Sequence, residues 1–372
     1  MAKLTPMMEQ YMQIKEEYKY CLLFYRLGDF YELFYDDAII ASKELELTLT
    51  GKNCGQEERA PMCGVPFHSA DGYIAKLVEK GYKVAICEQT EDPKKAVGIV
   101  KREVIRIVTP GTVLDTNVLD ESKNNYIMCI YKNVDGYGVA SCDVSTGEFQ
   151  VTSVPSDLDN KVIDEIARFN PSEIICNGEI ELSEQINNIF DIKVSQYNNW
   201  AFDYQNANIC LCNHFKTLNL AGFGLEDDRP CVISAGALLE YLSETQKNKL
   251  SHISSIKKYS SNKYMVLDIS SRRNLELTQT IRDKSKKGSL LWVLDNTKTA
   301  MGARLLRKWL EQPLIDSEEI NKRLDAVEAF KNSPFEREDL KEMLNTIYDI
   351  ERLMGKVVYA TANGKDLIAL KN

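Results

Sequence analysis

Phe30 and Glu32, in the run Gly28-Asp29-Phe30-Tyr31-Glu32, set an aromatic ring two residues from a carboxylate. Such a ring can stack on a nucleobase, and the carboxylate can hydrogen-bond to the base edge. The run follows an apolar stretch, residues 21–27 (CLLFYRL), and opens a segment with helical character. A strand-to-helix junction is therefore expected, a place that projects side chains away from a packed scaffold. A structural role fits the same residues. Asp29 and Glu32 have capping-box spacing, the first capping the helix and the second returning a bond to the cap amide. Phe30 also suits an ordinary core position. Both roles are compatible, because a capped helix start is a rigid mount.

Around this run the pattern is mixed α/β. Met7, Met8, Tyr11, Met12 and Ile14 recur at helical spacing, and residues 22–27 form a buried-strand pattern. A helix is expected from Asp29 toward Leu45, with Phe34, Ala38, Ile39 and Ala41 inward. Residues 51–58 are expected as a loop, Gly64-Val65-Pro66-Phe67 as a turn, and residues 70–80 as a helix ending at Gly81. Residues 84–87 and 104–108 are strand-like. Pro110-Gly111 and the polar residues 115–125 suggest a domain boundary. Strands follow at 126–131, 138–144, 149–154 and 173–176, with helices at 162–169 and 235–245, which predicts an α/β layer fold. From Lys257 the pattern turns helical, first at residues 270–280. Thr299 can cap a helix with a buried stripe of Met301, Leu305, Leu306 and Trp309, ended by Gln312-Pro313. Asp316 and Glu319 form a second capping-box spacing ahead of Ile320, Leu324, Val327 and Phe330, also expected as core.

The 372 residues suggest two or three domains. No run approaches the 18 or more apolar residues of a membrane span, and the start lacks the apolar core of a secretory signal. Ten cysteines include no Cys-x-x-Cys pair. Cys210, Cys212 and His214 lack the second ligand pair of a zinc set, so reduced thiols in a cytoplasmic protein are expected. The net charge of −9 disfavours DNA until its distribution is read. Residues 121–250 carry 9 Lys/Arg and 19 Asp/Glu, residues 251–310 carry 13 and 4, and residues 76–106 carry 8 and 5. Neutralising phosphates needs local positive charge rather than a positive total. The basic stretches are either phosphate contacts or solvated faces.

Several longer motifs point to one family. Residues 22–38 (LLFYRLGDFYELFYDDA), 60–68 (APMCGVPFH), 84–93 (VAICEQTEDP) and 104–112 (VIRIVTPGT) resemble the mismatch-recognition domain of the MutS family of DNA mismatch-repair proteins. Gly222-Phe223-Gly224, Arg272-Arg273-Asn274-Leu275-Glu276 and residues 299–314 (TAMGARLLRKWLEQPL) are similar to its middle and helical regions. The resemblance implies an α/β + α architecture. It has a mixed α/β mismatch-recognition domain at 1–115 and an RNase H-like α/β connector at 122–248. The beginning of an all-α core and lever domain follows at 257–372.

By match to the motif, Phe30 would be an aromatic wedge and Glu32 a polar contact to the base. Leu27, Lys52, Pro66, Phe67 and Arg102 are candidates for surrounding DNA contacts, with Lys52 and Arg102 toward phosphates. Phe67 stands where the family often has tyrosine. An RNase H-like fold raises a nuclease alternative through Asp143, but one carboxylate falls short of the converging acids that two-metal chemistry needs. A protein-interaction module is the other alternative, best suited to the acidic middle. The family's ATPase needs a P-loop, yet Gly51-Lys52, Gly355-Lys356 and Gly364-Lys365 are followed by Asn53, Val357 and Asp366, not Ser or Thr. The expectation is an N-terminal part of a longer protein, with no cofactor of its own. The resemblance places ATP and magnesium in a missing C-terminal domain. It implies mismatched double-stranded DNA as ligand, a full-length homodimer, a MutL-type partner on the connector, and a cytoplasmic, nucleoid-associated location.

Overall fold

The computed structural model describes residues 4–55, 58–91, 98–114, 119–178, 183–192, 194–247 and 250–371. The chain divides into a first compact unit, Met1–Val118 with Leu242–Asn248, and a second, Leu119–Tyr241 with Lys249–Asn372. Residues 115–118 of the expected boundary and 56–57 of the expected loop lie outside the described residues. Among the described residues no helix is long and apolar enough to cross a membrane.

The first unit holds strands β1 (Leu22–Leu27), β2 (Phe30–Phe34), β3 (Thr50–Lys52), β4 (Ala60–Pro66), β5 (Val84–Gln89) and β6 (Arg102–Val108). Their order in the sheet is β3-β4-β2-β1-β5-β6. The helices are α1 (Pro6–Glu17), α2 (Tyr35–Leu45) and α3 (Ala70–Glu79). β1 is central, antiparallel to β2 and parallel to β5, and Leu22, Leu23, Phe24 and Tyr25 are buried as its apolar run requires. α1 starts at Pro6, where a missing N–H is harmless. It sets the Tyr11 ring edge-on to Tyr25 and Phe34, at 5.4 and 5.0 Å between centroids. The buried Asp37 carboxylate accepts from the Leu23 amide at 2.9 Å and pairs with Lys15 at 2.9 Å, joining α2 to β1 and α1.

Three local expectations are corrected here. The segment after Gly28 is a strand, not a helix; α2 begins at Tyr35. The three aromatic residues of Phe30–Phe34 favour a pleated surface, and pairing on both edges fixes the choice. The capping box of Asp29 and Glu32 therefore does not form. Gly64, Val65 and Pro66, expected with Phe67 as a turn, instead end strand β4, and the short 3-10 segment Phe67–Ser69 follows. The loop expected at 51–58 contributes Gly51 and Lys52 to β3.

The second unit holds β7 (Tyr126–Asn133), β8 (Gly136–Asp143), β9 (Glu148–Val154), β10 (Glu173–Cys176), β11 (Val194–Gln196) and β12 (Lys257–Lys258), in the order β11-β10-β7-β8-β9-β12. β7, β8 and β9 form an antiparallel meander, and β10 and β11 add in parallel beside β7. This is a layered α/β arrangement. Helices α4 (Asp159–Phe169), α5 (Ser183–Phe190), α6 (Tyr204–Phe215) and α7 (Arg229–Gln246) accompany it. α4 places Val162, Ile163, Ile166 and Phe169 in a core with Met128, Ile130 and Val139. Gly138 is required by close approach, since a Cβ there would lie 1.9 Å from the Pro230 carbonyl oxygen. Lys257–Lys258, expected to open the helical region, is instead an edge strand on β9. Asp143 is buried, and its oxygens accept from the Ser145 amide and hydroxyl, the Asn124 side chain and the Asn125 amide. It therefore serves the end of β8.

The helical part comprises α8 (Ile269–Asn274), α9 (Leu290–Leu294), α10 (Ala300–Glu311), α11 (Ser317–Asn332), α12 (Pro334–Leu344), α13 (Ile350–Val358) and α14 (Gly364–Lys371). Thr299 and Asp316 cap α10 and α11 through their side chains. The helix expected over 270–280 stops after Asn274, with Glu276 at a positive φ of 45°. The stripes expected as core are open: Leu305, Trp309, Leu324, Val327 and Phe330 are exposed. Periodicity identifies an apolar face, but what covers that face is not encoded in the helix itself.

Several basic residues of this region have a third role, neither phosphate contact nor solvated face. The buried Arg304 holds Asp349 at 2.7 and 2.8 Å, Glu351 at 2.6 Å and the Glu121 carbonyl at 3.1 Å. Arg352 donates to the carbonyls of Asp120 and Lys123, and Lys308 pairs with Glu148. Burial pushes the Asp349 carboxyl up, but the bonds and charge of Arg304 overcome it and hold it below its ordinary value. Removing one partner of such a pair strands the other, so Arg304→Ala should destabilise the second unit by about 3 kcal/mol in denaturant unfolding at neutral pH. A depressed carboxyl stabilises above its unfolded pKa of about 3.9 and loses that stabilisation as pH falls through the lower folded value. The gap between variant and native chain should therefore narrow below about pH 4.

Candidate nucleic-acid interface

β1 and β2 form a hairpin with the register Leu27↔Phe30, Arg26↔Tyr31 and Tyr25↔Glu32. Gly28 and Asp29 are its whole turn. Gly28 has φ of 59°, the sign that a two-residue turn with glycine first requires. Because a strand alternates its side chains, Phe30, Glu32 and Phe34 share one face and Tyr31 and Leu33 the other. The first face is the one α1 covers: Phe34 and Tyr25 lie in the core with Met8 and Tyr11. Along β2 that face runs out from the buried Phe34, through the partly covered Glu32, to Phe30, which is 47% exposed at the tip.

Most of the expected site residues gather here. Leu27 pairs with Phe30 and packs partly on the core. Pro66, on β4, is the partner of Phe30 across the other edge of β2. Lys52, on β3, places its Nζ 2.5 Å from Glu32 Oε2, with both side chains partly exposed. Phe67 is exposed, and its amide donates to the Asp29 carbonyl at 2.9 Å. One face thus carries a protruding ring, a carboxylate and a lysine already paired with it. Such a face can insert an apolar wedge, accept a hydrogen bond and offer a cation to a phosphate.

Arg102 is the exception. It is buried, with Nε donating to the Arg26 carbonyl at 2.8 Å and Nη1 to Gln10 at 3.1 Å and the Val100 carbonyl at 3.0 Å. Its guanidinium lies 5.0 Å from the Tyr25 ring centre. This corrects the expectation of a phosphate contact: Nε and Nη1 are engaged by the Arg26 and Val100 carbonyls and Gln10, so the side chain serves the fold.

Arg26, Tyr31 and Glu88 were passed over in the sequence. On the face opposite Phe30, Arg26 pairs with Glu88 at 3.3 Å and the Tyr31 hydroxyl donates to the same carboxylate. Burial, reinforced by Glu88, pushes the Tyr31 phenol well above its ordinary value, so it remains a donor. Strand alternation sets Tyr31 opposite Phe30 once Phe30–Phe34 is read as a strand, but the meeting with Glu88 depends on β1 pairing with β5, which no local pattern displays.

Comparison with known families matches three consecutive segments: MutS domain I over residues 5–117, MutS domain II over 125–254 and MutS domain III over 270–372. The chain is similar to the DNA mismatch repair protein MutS of Lachnoclostridium phytofermentans, with 57% identity over 99% of this chain and 40% of that protein. It is 58% identical to the protein of that name from Ruminiclostridium cellulolyticum, over 100% of this chain and 43% of the relative. With the one from Clostridioides difficile it shares 53% identity, over 100% of this chain and 39% of the relative. The chain thus spans about two fifths of the length of these relatives.

The burial of Arg102 yields a direct check. Arg102→Met would remove the bonds donated to Gln10, Arg26 and Val100, and although Gln10 Oε1 keeps the Tyr25 hydroxyl and the Val100 carbonyl keeps the Gln10 amide, losing bonds to a charged donor costs about 2 kcal/mol. Chemical denaturation of the chain should show that loss in the first unit. Unchanged stability would mean that the side chain is not part of the fold.

Proposed function

The chain belongs to the MutS family, and on that premise we propose that it reads mismatched or looped duplex DNA for post-replicative repair, with Phe30 as the wedge. The observation that carries this reading is the exposed Phe30 ring at the tip of a two-residue hairpin, with Glu32 on the same face. A mismatched step is easier to unstack and kink than a paired one. Inserting an apolar side chain costs a few kcal/mol of unstacking, offset by contacts on the bent duplex. An aromatic ring recovers part of that by stacking, and it does so on any base. That tolerance suits a protein that must meet many different mismatches, with discrimination arising from the difference in unstacking cost.

Glu32 adds a polar contact to the displaced base. An ionised carboxylate accepts hydrogen bonds and donates none, and beside DNA it also faces the phosphates. Its pairing with Lys52 supports a division of labour. An arriving phosphate competes for Lys52, and the carboxylate is released toward the base. Leu27 and Pro66 shape the apolar surround of the wedge, while the Phe67 ring lies under Arg26 on the opposite face. Phosphate contacts of this kind position the protein without reading sequence.

In this reading the chain is the DNA-reading part of a longer protein whose remaining length carries an ATPase with ATP and magnesium, and which works as a homodimer. The acidic residues 121–250 would offer a docking surface for a MutL-type partner. None of the three Gly-Lys pairs completes a P-loop, so the chain by itself should not hydrolyse ATP. Turnover that persisted through repeated purification would refute this.

The wedge is tested by Phe30→Ala in the longer protein, titrated with mismatched and matched duplexes. Loss of base–aromatic stacking worth about 1–3 kcal/mol predicts a roughly 5- to 150-fold fall in mismatch affinity. Matched-duplex affinity and unfolding should change little. An unchanged ratio of the two affinities would remove Phe30 from the mechanism.

A further inference from the structure

We propose that Arg26 is a positioning residue for the Phe30 hairpin, clamping its turn so that the ring is presented in one orientation. The inference deepens the reading of Phe30 as a wedge and rests on it.

A two-residue turn has two carbonyls of its own, and both are held here. Arg26 Nε donates to the Gly28 carbonyl at 2.5 Å. The Phe67 amide donates to the Asp29 carbonyl at 2.9 Å. The two bonds are coupled through the Arg26 guanidinium, whose central carbon lies 3.8 Å from the centre of the Phe67 ring. The same group reaches sideways to Glu88 on β5 at 3.3 Å and lies 5.5 Å from the Tyr31 ring centre. Tyr31 in turn donates to Glu88. One side chain, only 16% exposed, therefore ties the hairpin tip to β5 on one flank and to the end of β4 on the other.

All of this lies on the face away from Phe30, since Arg26 is registered opposite Tyr31. The clamp can remain in place while the other face meets a ligand. Its chemistry calls for arginine. A planar guanidinium can donate in a fork and stack on a ring at once, whereas an ammonium is a point charge. A hairpin free to move would have to be ordered during insertion, and ordering at an interface subtracts from affinity. That loss falls on the mismatched complex, where the wedge is inserted.

The test pairs a measurement on the free chain with one on DNA. Amide hydrogen exchange of Phe67 reports whether the turn carbonyl is released. Arg26→Ala should accelerate it at least tenfold, and Arg26→Lys, which keeps the charge but not the planar fork, should remain faster than the native chain. In the longer protein Arg26→Ala should lower the mismatch-over-match affinity ratio at least fivefold with the salt dependence unchanged. Loss of a phosphate contact would instead reduce the salt slope by about one. Should Arg26→Ala fail to fold, Phe67→Ala removes the stacking platform and should lower the ratio in the same way. Unaltered Phe67 exchange in Arg26→Ala, or an unaltered affinity ratio in whichever of the two variants folds, overturns the proposal. If the native longer protein shows no mismatch preference, the reading of Phe30 fails, and the exchange result alone decides the clamp.

Discussion

A strand shows alternate residues to opposite faces, and the character of the first sheet follows from how that period falls on Phe30–Phe34. Phe34 enters the core beneath α1, Glu32 sits at the margin and Phe30 stands beyond it. Tyr31 and Leu33 take the other face and are buried. A slip of one residue would bury Phe30 and expose Tyr31, so the register of the hairpin and the exposure of the Phe30 ring are one constraint. Gly28 fixes that register by accepting a positive φ in a turn of two residues.

Charge is distributed to match. On the face that carries Phe30, Lys52 is paired with the Glu32 carboxylate and partly exposed, so a phosphate could compete for it. Arg102 and Arg26 are covered and hold backbone carbonyls. In the second unit Arg304 and Arg352 hold carbonyls of the stretch that leads into β7. A net charge of −9 thus coexists with a partly exposed cation on the same face as the Phe30 ring. The local placement of a few cations matters, and many of the others are structural.

Much of the architecture was legible from apolar spacing. Strands β7 to β10 of the second sheet, the amphipathic α4 and the capped starts of α10 and α11 lie near where the sequence placed them, whereas β11 and β12 do not. The stretch around Phe30 misled because Asp29-x-x-Glu32 satisfies a capping box while Phe30-Tyr31-Glu32-Leu33 satisfies a strand. Pairing with β1 and β4, separated in sequence, decides between them. Arg102 misled for a similar reason, since its acceptors include Gln10 and the carbonyl of Arg26, far away in the chain. The ion pair of Lys52 and Glu32 depends on β3 lying beside β4, which no local pattern in residues 50–66 displays. Local spacing specifies elements and faces; partners brought from a distance specify which side chains stay free.

The account turns on whether the Phe30 ring lies against the unpaired base. A duplex carrying 5-bromodeoxyuridine at the mismatch, irradiated in complex with the longer protein, crosslinks to a side chain in direct contact with that base. Mass spectrometry should find the adduct on Phe30, with little yield from a matched duplex containing the same nucleotide. Equal yields from the two duplexes, or an adduct confined to residues outside the β1–β2 hairpin, would contradict the account.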